Sequence, residues 1–453
     1  MSEAVATPAA SRAAWKWMTL ADVGKVITGN TPPTADAENY GDAIPFVKPT
    51  ELVDRGIRSA PSGLAPQAMG KARVVPAGAV LVSCIGNLGK TGIAKVPVAF
   101  NQQINAVVFN ENVIPEFGFY YAQTLKPWLY GESSATTIPI VNKGKFQQAR
   151  FPLAPLDEQR EIVAELEKQF SRLDEAVANL QRVKANLKRY KASVLKAAVE
   201  GRLVETEATL ARREGRTFET GEQLLQRILE ERRAKWTGKG RYKEPVAQTA
   251  EFTIAVTDGW TSATVDQLAS VQLGKMLDKQ KHKAGEPYRY LRNINVRWGT
   301  FDVSDVFEMN FESDELERFS VRAGDVLVCE GGEPARAAVW RAKQTDMKYQ
   351  KALHRVRFDG AYLPDLIVIA LEHLAKSGAL DELYGGSTIK HFTRETFVKL
   401  VLPVPPAAEQ ARIVAEVDRH LSIIREVEVE VEANLQRAQA LRQATLAKAF
   451  ANT

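Results

Sequence analysis

Two segments of the chain place apolar side chains at alternating intervals of three and four residues, the pattern of a buried stripe along a long helix. This pattern predicts helices over residues 158–203 and from residue 409 to the C-terminus. At about 1.5 Å per residue, each helix would be on the order of 60 Å long. The stripes hold the residues that we expect to pair: Val163, Leu166, Phe170, Leu173, Val177 and Leu180 in the first helix, and Val414, Val417, Leu421, Ile424, Val431 and Leu435 in the second.

Charged residues interrupt both stripes, so an unbroken zipper is not expected; they are Lys184, Lys191, Glu428 and Arg442. Two interpretations of the helices remain open. Each helix packs only on its own domain, or the two helices pair with each other and act as a spacer. We favour pairing, because two stripes of similar length at equivalent places can bury each other.

The second half of the chain repeats the first, and the offset between matching residues increases from about 245 to about 251 along the chain. A repeat of this kind indicates that the two halves have the same fold. Residues 75–82 read VPAGAVLV and residues 321–328 read VRAGDVLV, in both cases a glycine-containing turn before a short β-branched strand. Residues 152–165 (PLAPLDEQREIVAE) match residues 403–416 (PVPPAAEQARIVAE), where prolines end an extended segment and acidic residues open a helix. Trp15 and Gly29 match Trp260 and Gly274.

The repeat divides the chain into five segments. They are a first globular domain (1–155), a first long helix (156–204), a charged segment (205–251), a second globular domain (252–406) and a second long helix (407–453). Both globular domains show short strands, Gly/Pro turns and a few helices, so we predict an α+β fold with a mixed β-sheet. In the charged segment, residues 223–234 have helical character and residues 237–245 are typical of an exposed linker.

Composition narrows the class of protein. The chain has 453 residues, 45% of them hydrophobic and 25% charged, as in globular proteins. No apolar run is long enough for a transmembrane helix, and the N-terminus lacks the design of a signal peptide. Cys84 and Cys329 are too few for a disulfide scaffold and each is best interpreted as a buried residue at a strand end. We therefore expect a cytoplasmic protein without a membrane partner.

The net charge of +5 is compatible with a polyanionic partner but does not require one. Basic and amide side chains recur in turn-like places, where they suit phosphates and base edges, although for any single one of them an ordinary surface residue without a ligand is the favoured interpretation. The candidate DNA-binding residues are Thr28, Thr31, Lys48, Asn87, Lys90, Asn101, Gln102, Thr136 and Lys143 in the first domain, and Lys275, Arg292, Asn293, Asn295, Arg336, Gln350, Lys351, Thr388, Lys390 and His391 in the second.

The turns differ between the halves although the framework matches. Residues 48–51 read KPTE against RNIN at 292–295, and residues 86–90 read GNLGK against GEPAR at 332–336. One scaffold with two different turn surfaces is suited to recognise two different half-sites.

Motifs for catalysis are not found. Residues 86–91 (GNLGKT) resemble a phosphate-binding loop, but Cys84 stands where that motif requires glycine. The five histidines form no His-Glu-x-x-His motif, there is no Cys/His zinc cluster, and residues 30–33 (NTPP) are not the loop of an adenine methyltransferase. We expect no catalytic residue and no metal site on this chain.

These features together resemble the specificity subunit of type I restriction–modification systems, over essentially the whole chain. The resemblance rests on the Pro-rich entry ending in Glu-Gln (residues 152–159 and 403–410) and on the helix endings at residues 190–203 (YKASVLKAAVEGRL) and 441–450 (LRQATLAKAF). The first ending departs from the second, with Tyr190 in place of leucine and Val199 in place of phenylalanine.

The resemblance implies two target recognition domains separated by two long antiparallel, coiled-coil-like helices in a pseudo-twofold arrangement. It also implies a bipartite double-stranded DNA site whose gap is set by helix length. Expected partners are two methylation subunits and restriction subunits, and S-adenosylmethionine, ATP and magnesium are expected on those partners rather than on this chain. Leu195, Ala198, Leu446 and Ala449 are candidates for contact with the partners, with core packing as the equal alternative. A stand-alone DNA nuclease and a structural adaptor that binds no DNA remain the competing functions.

Overall fold

A computed structural model describes residues 15–134, 137–238, 240–248, 256–276, 285–343, 346–386 and 390–451. The chain forms two compact units: unit 1 comprises Met1–Arg182 and Val431–Thr453, and unit 2 comprises Val183–Glu430. The first predicted globular segment (1–155) lies within unit 1, and the second (252–406) lies within unit 2. Each long helix contributes one part to unit 1 and the other part to unit 2.

The described helices are α1 (Leu20–Val23), α2 (Pro115–Ala122), α3 (Lys126–Glu132), α4 (Lys143–Phe146), α5 (Leu156–Val199), α6 (Glu207–Glu214), α7 (Gly221–Ala234), α8 (Val265–Leu268), α9 (Glu315–Arg318), α10 (Pro364–Ser377), α11 (Arg394–Phe397) and α12 (Ala407–Phe450). Both predicted long helices, α5 and α12, are confirmed and have 44 residues each. The predicted helix at 223–234 is confirmed as α7, whereas the sequence analysis missed α6.

In unit 1 the strands are β1 (Lys16–Thr19), β2 (Gly24–Thr28), β3 (Tyr40–Val47), β4 (Arg55–Ile57), β5 (Gly63–Leu64), β6 (Val74–Val75), β7 (Val80–Ser83), β8 (Thr91–Ala94), β9 (Val98–Phe100), β10 (Ile104–Phe109) and β11 (Arg150–Leu153). They form sheets of order β1-β11, β2-β10-β7-β8-β4 and β5-β3-β9-β6. Two pairs, β4–β8 and β3–β9, are parallel and the others are antiparallel, so the predicted mixed sheet is confirmed.

In unit 2 the strands are β12 (Thr261–Thr264), β13 (Ala269–Leu273), β14 (Glu286–Leu291), β15 (Val296–Arg297), β16 (Thr300–Phe301), β17 (Phe307–Phe311), β18 (Val326–Cys329), β19 (Ala337–Val339), β20 (Lys348–Tyr349), β21 (Leu353–Phe358) and β22 (Val401–Val404). Their sheets have the orders β12-β22, β13-β21-β18-β19, β17-β14-β20 and β15-β16. The first two repeat the β1-β11 pair and the β2-β10-β7-β8 order of unit 1, and the parallel pair β14–β20 repeats β3–β9. The two units are thus built on one framework.

Local chemistry explains where the long helices begin and end. A proline precedes each helix, at Pro155 and at Pro406, and acidic side chains lie in each first turn, next to the positive end of the helix dipole. The helix α5 ends four residues earlier than predicted, because Gly201 adopts a left-handed conformation (φ 67°) that ends the helix there.

The ends of both long helices are part of the globular cores. In unit 1, Leu166 and Phe170 of α5 are buried with Leu446 and Phe450 of α12 in one cluster with α2 and β11. In unit 2, the cluster around α10 and β22 buries Val194, Leu195 and Ala198 of α5 with Ile413 and Val417 of α12. Among them, Val417 and Leu195 are equivalent to Leu166 and Leu446 of unit 1. Each core is therefore completed by the beginning of one long helix and the end of the other.

Within each unit the two long helices also contact each other. In unit 1, Arg442 of α12 donates a hydrogen bond to Asp174 of α5 at 2.9 Å, and its guanidinium lies 4.2 Å from the ring centroid of Phe170. In unit 2, the Tyr190 hydroxyl is 2.7 Å from Nδ1 of His420. The first part of one helix thus lies beside the last part of the other, as expected for antiparallel helices.

Some residues of the apolar stripes pack in the domain cores, and others are buried or half-buried outside those cores. Val163, Leu166, Phe170, Val414, Val417 and Leu421 pack in the domain cores. Ile424 and Val431 are buried outside those clusters, and Leu173, Val177, Leu180 and Leu435 are half-buried. Neither packing on a domain nor helix pairing alone describes the helices.

The segment between the two halves is part of unit 2. Leu224 and Ile228 of α7 are fully buried in the core beside β12 and β22. Arg412 pairs with Glu207 at 2.7 Å and so ties α6 to α12. The exposed residues of α7 carry the charge run, as expected for a solvated face.

Candidate nucleic-acid interface

Strand topology brings the candidate residues of unit 1 to one edge of the five-stranded sheet. Thr28 ends β2 and pairs with Asn105 of β10, while Ser83 ends β7 and pairs with Ile104 at the start of β10. Because neighbouring strands are antiparallel, the loops after β2 and β7 and before β10 meet at the same edge. We call this surface loop face 1; it comprises residues 28–31, 47–50, 71–73, 83–90, 101–103 and 139–143.

Unit 2 has the equivalent surface at the edge of its four-stranded sheet. Leu273 ends β13 opposite His354 of β21, and Cys329 ends β18 opposite Leu353. The loops that meet there form loop face 2, residues 274–276, 291–295, 330–336, 349–352 and 390–392.

Backbone hydrogen bonds join the loops in the same way in both faces. The amide of Cys84 donates to the carbonyl of Gln103 at 2.8 Å, and Glu330 donates to Ala352 at 2.9 Å. Other matching donor–acceptor pairs are Gly29–Ile104 with Gly274–Leu353 (both 3.0 Å), Asn101–Val47 with Gln350–Leu291 (both 3.1 Å), and Val141–Cys84 (2.9 Å) with Phe392–Glu330 (2.7 Å). The faces therefore share a backbone and differ in side chains.

A matched glycine lets two loops approach each other in each face. A Cβ atom added to Gly29 would lie 2.2 Å from the carbonyl oxygen of Asn101, and one added to Gly274 would lie 2.2 Å from that of Gln350. Both contacts are with backbone, which cannot swing away as a flexible side chain can. The matching glycines seen in the sequence therefore fix the loop geometry.

In loop face 1, the structure brings together most of the predicted residues. Thr31, Lys48, Asn87, Gln102 and Lys143 are exposed, and Thr28 and Lys90 are half-buried. The Thr31 hydroxyl donates to Oε1 of Gln102 at 2.8 Å, which joins the loops after β2 and before β10. Thr136 lies outside the described residues.

In loop face 2, Lys351, Lys390 and His391 are exposed, and Arg292, Asn293, Arg336 and Gln350 are half-buried. The amide of Asn293 donates to the carbonyl of Gly331 at 3.3 Å, so two of the loops support each other. Thr388 lies outside the described residues.

The prediction of surface contacts is corrected for three residues. Asn101, Lys275 and Asn295 are buried beneath the loops. Lys275 is 3% exposed, pairs with Glu315 and donates to the carbonyl of Asn310 at 2.9 Å. Asn295 donates to the carbonyls of Asp302 (2.9 Å) and Asp305 (2.8 Å). Asn101 donates to Oε1 of Gln103 at 2.9 Å. Their side chains hold the loops from inside and are not available at the surface.

Sequence reasoning missed Arg73. This exposed side chain donates to the carbonyl of Thr28 at 2.6 Å, and its backbone amide donates to Oδ1 of Asn30 at 2.8 Å. The basic residue in the short turn 71–73, just before a strand, was the available signal. It has no counterpart in the repeat comparison and so was not found.

The Glu-Gln motif has a structural role that the sequence analysis did not assign. Gln159 is fully buried; it accepts from the amide of Ile114 (2.8 Å) and donates to the carbonyls of Asn112 (2.9 Å) and Ala154 (2.8 Å). These bonds connect the end of β11, the start of α5 and the loop before α2. The glutamine fixes the direction in which the long helix leaves the domain.

Gln410 repeats this arrangement in unit 2. It accepts from the amide of Leu363 (2.8 Å) and donates to the carbonyl of Pro405 (3.0 Å). The preceding Glu409 is fully buried, accepts from Nε1 of Trp260 (2.9 Å) and from the amide of Glu207 (2.8 Å), and has its pKa raised by burial.

The buried titratable groups beneath the faces support structure rather than chemistry. Burial lowers the pKa of His354, whose Nε2 lies 2.8 Å from the carbonyl of Phe392, so the neutral ring donates to the 390–392 loop. Burial raises the pKa of Cys84 to about 12 and that of Cys329 to about 11. Both thiols are free and buried, which confirms the interpretation from the sequence.

The loop at residues 86–91 is not a phosphate-binding loop. Thr91 begins β8, which pairs antiparallel with β7, whereas a phosphate-binding loop leads into a helix. Within the described ranges, no group of three or more His, Cys, Asp or Glu side chains is placed to hold a metal ion. None of the helices in these ranges combines the length and apolarity needed to cross a bilayer.

The four residues predicted to contact partner subunits differ in how deeply they are buried. Leu195, Ala198 and Leu446 are at most 2% exposed and belong to the cores of the chain itself, while Ala449 is half-buried against the core of unit 1. Leu195, Ala198 and Leu446 therefore pack in the cores of this chain, the alternative left open by the sequence, while contact of Ala449 with a partner stays a prediction.

Comparison with known proteins gives a consistent result. The family described as type I restriction modification DNA specificity domain matches residues 13–188. The specificity subunit of the type I restriction enzyme EcoBI from Escherichia coli is 22% identical over 449 residues, covering 96% of this chain and 85% of that protein. The MjaIX specificity subunit of Methanocaldococcus jannaschii is 26% identical over 161 residues, covering 34% of this chain and 37% of that protein.

A solved structure shares the fold. It is described as the structural basis underlying complex assembly and conformational transition of the type I R-M system, and the matching chain has a TM-score of 0.64 at 18% identity, covering 97% of this chain and 98% of that chain. The duplicated α+β framework and the two long helices thus occur in a chain whose residues 13–188 match the type I restriction modification DNA specificity domain and which is similar over most of its length to specificity subunits of type I restriction enzymes.

Proposed function

We propose that the chain is the DNA sequence-specificity subunit of a type I restriction–modification complex, and that loop faces 1 and 2 each read one half of a bipartite, asymmetric site. The observation that carries this proposal is the pair of matching loop backbones with different side chains. A shared backbone presents side chains to DNA in the same way, and different side chains select different bases.

The proposed subunit has no catalytic role of its own. It scaffolds two methylation subunits and the restriction subunits, which carry S-adenosylmethionine, ATP and magnesium, and it acts in the cytoplasm on double-stranded DNA. The long helices act as the spacer. Their 44 residues each correspond to about 66 Å of helix, and a rigid separation of two reading domains sets the distance between half-sites.

Exchange of loop residues tests the assignment of the faces. Replacing Asn87 and Lys90 with the residues at the equivalent positions of unit 2 (N87E/K90R) changes exposed and half-buried loop side chains and leaves the buried Leu88 and the left-handed Gly89 in place. In the complex assembled with its methylation subunits, we expect the methylated adenines to change in one half-site only. Changes in both halves, or in neither, contradict the proposal.

Helix length tests the spacer. Inserting one heptad into both helices, after Leu180 and after Val431, keeps their stripes in register. The gap between methylated half-sites should lengthen by about three base pairs, since seven residues add about 10 Å of helix and one base pair spans about 3.4 Å. An unchanged gap contradicts the spacer role.

A further inference from the structure

Equivalent positions of the two loop faces carry cations that differ in whether a carboxylate is paired with them. Lys48 and Arg292 follow the matched residues Val47 and Leu291. Lys90 and Arg336 are matched by their carbonyls, which accept from Ser83 (2.9 Å) and Cys329 (2.8 Å). The framework therefore allows a direct comparison of what each cation contacts.

In loop face 2, both arginines are committed to carboxylates. Arg292 donates to Oδ2 of Asp305 at 2.8 Å and to its carbonyl at 2.9 Å, and its guanidinium lies 3.7 Å from the ring centroid of Phe307. Arg336 donates to Glu333 at 2.7 Å and to the carbonyl of Asn293 at 2.8 Å. Their side chains are only 17% and 13% exposed. Both arginines fasten loops together.

The other predicted cations of loop face 2 follow the same pattern with one exception. Lys275 is buried against Glu315, and Lys390 pairs with Asp381 at 2.9 Å. Lys351 is exposed and forms no ion pair within the described part of the chain. A cation already paired with a carboxylate presents little net charge to a phosphate and releases few counterions on binding.

In loop face 1, the predicted cations are not neutralised in this way. Among the residues that the structure describes, no carboxylate oxygen lies within 4.0 Å of the side-chain nitrogen of Lys48, Lys90 or Lys143, or of the Arg73 guanidinium. The Lys48 ammonium donates to the Ser62 hydroxyl at 3.2 Å, while the Glu51 carboxylate accepts from the Lys48 backbone amide. Lys71 of the same face does pair with a carboxylate, Asp36, at 3.4 Å. Loop face 1 thus presents open positive charge at Lys48, Lys90, Lys143 and Arg73.

We infer, on the basis of the proposed function, that the two loop faces contribute to DNA binding through different kinds of interaction. Loop face 1 supplies most of the salt-dependent attraction to phosphates, through Lys48, Lys90 and Lys143. Loop face 2 contributes mainly short-range contacts from a surface that its internal ion pairs hold rigid. The faces would then differ in how they bind, in addition to which bases they read.

The salt dependence of binding tests this division. The full-length chain is titrated with a fluorescent duplex of about 30 random base pairs at 50–200 mM KCl. We expect the K48Q/K90Q/K143Q variant to reduce the slope of log K against log salt by about 2.7, so that over this range it loses about 40-fold less affinity than the wild type. The matched variant of loop face 2, K351Q/K390Q, should reduce the slope by about 1, the contribution of the unpaired Lys351.

A gain-of-charge variant tests the same inference from the other side. Removing the masking carboxylates with D305N/E333Q/D381N should steepen the slope, because Arg292, Arg336 and Lys390 become available to phosphates. Comparable loss of slope per lysine in both faces, or no steepening on unmasking in a variant with wild-type circular dichroism, overturns the division. A wild-type chain that does not bind the duplex would instead overturn the proposed function.

Discussion

The ends of the two long helices reach equivalent places in the two units but are packed differently. In unit 1, Phe450 at the end of α12 lies 5.3 Å from the rings of both Phe117 and Tyr121, and the Tyr121 hydroxyl donates to the carbonyl of Arg150. In unit 2, the positions of Phe450 and Tyr121 are taken by Val199 and Ala370. A pocket of about 670 Å³ that is open to solvent lies beside them, lined also by His373, Leu374 and Pro403.

The two units share a backbone framework but differ in how the ends of the long helices are packed. The hydrogen bonds and strand orders are repeated, so they do not depend on whether rings or small side chains fill the space beside them. Unit 2 has additional core packing at another place, because α7 adds Leu224 and Ile228 to its core. Unit 1 has no equivalent helix among its described residues. The same fold is therefore stabilised at different places in its two copies.

The largest effect is expected from the aromatic cluster. Phe450→Ala should lower the free energy of unfolding by about 3–5 kcal/mol, because the side chain is 6% exposed and its removal leaves a cavity among aromatic rings. Denaturant unfolding followed by circular dichroism measures the change.

The matched substitution in unit 2 is Val199→Phe, which restores the residue of the other copy. It should change the free energy of unfolding by less than about 1 kcal/mol, since the ring can enter existing space. A loss as large as that of Phe450→Ala would show that the two helix ends are equally packed, against the comparison.

The buried glutamines offer a graded test of the repeated framework. Gln159→Leu leaves three backbone groups without their partner and should cost about 3 kcal/mol, whereas Gln410→Leu leaves two and should cost about 2 kcal/mol. Unfolding free energies of both variants give the comparison directly. Equal, negligible losses would contradict the role assigned to the Glu-Gln motif.

Loop geometry gives the next effect. Gly29→Ala places a methyl group against the backbone of Asn101 and should cost about 2 kcal/mol, with weaker DNA binding as loop face 1 is displaced. Gly131→Ala is the control, because a methyl group there meets no atom within 4 Å and lies in a helix, where alanine is preferred. If both substitutions had the same effect, close approach of the loops would not be the reason for Gly29.

The smallest effect concerns a backbone conformation. Ala335 has a left-handed φ of 69°, and the equivalent position in unit 1 is Gly89, with a φ of 76°. Ala335→Gly should therefore stabilise the chain by about 1 kcal/mol, which thermal unfolding would detect. A lower melting temperature would show that the strain is absent or that the alanine methyl group contributes more packing than expected.

Much of the candidate site could be predicted from sequence, because turns carry local signals. Gly29 and Gly274, and the glycine turns before β7 and β18, located the loops that meet in both faces. Which side chains in those loops point outward could not be predicted, since Lys275 and Lys351 are both lysines in turns and only the first is buried. Burial depends on neighbours that are distant in the chain, such as Glu315.

The sequence by itself determined the duplication, the two long helices, the strand framework and the buried cysteines. Each of these depends on periodicity, on glycine and proline positions, or on self-similarity, and all are properties of short stretches of chain. Only the tertiary structure decided that each core is completed by the ends of both helices and that loop face 2 pairs all of its predicted lysines and arginines except Lys351 with carboxylates. Those features depend on contacts between residues far apart in the chain, such as Phe117 with Phe450, and no local pattern encodes them.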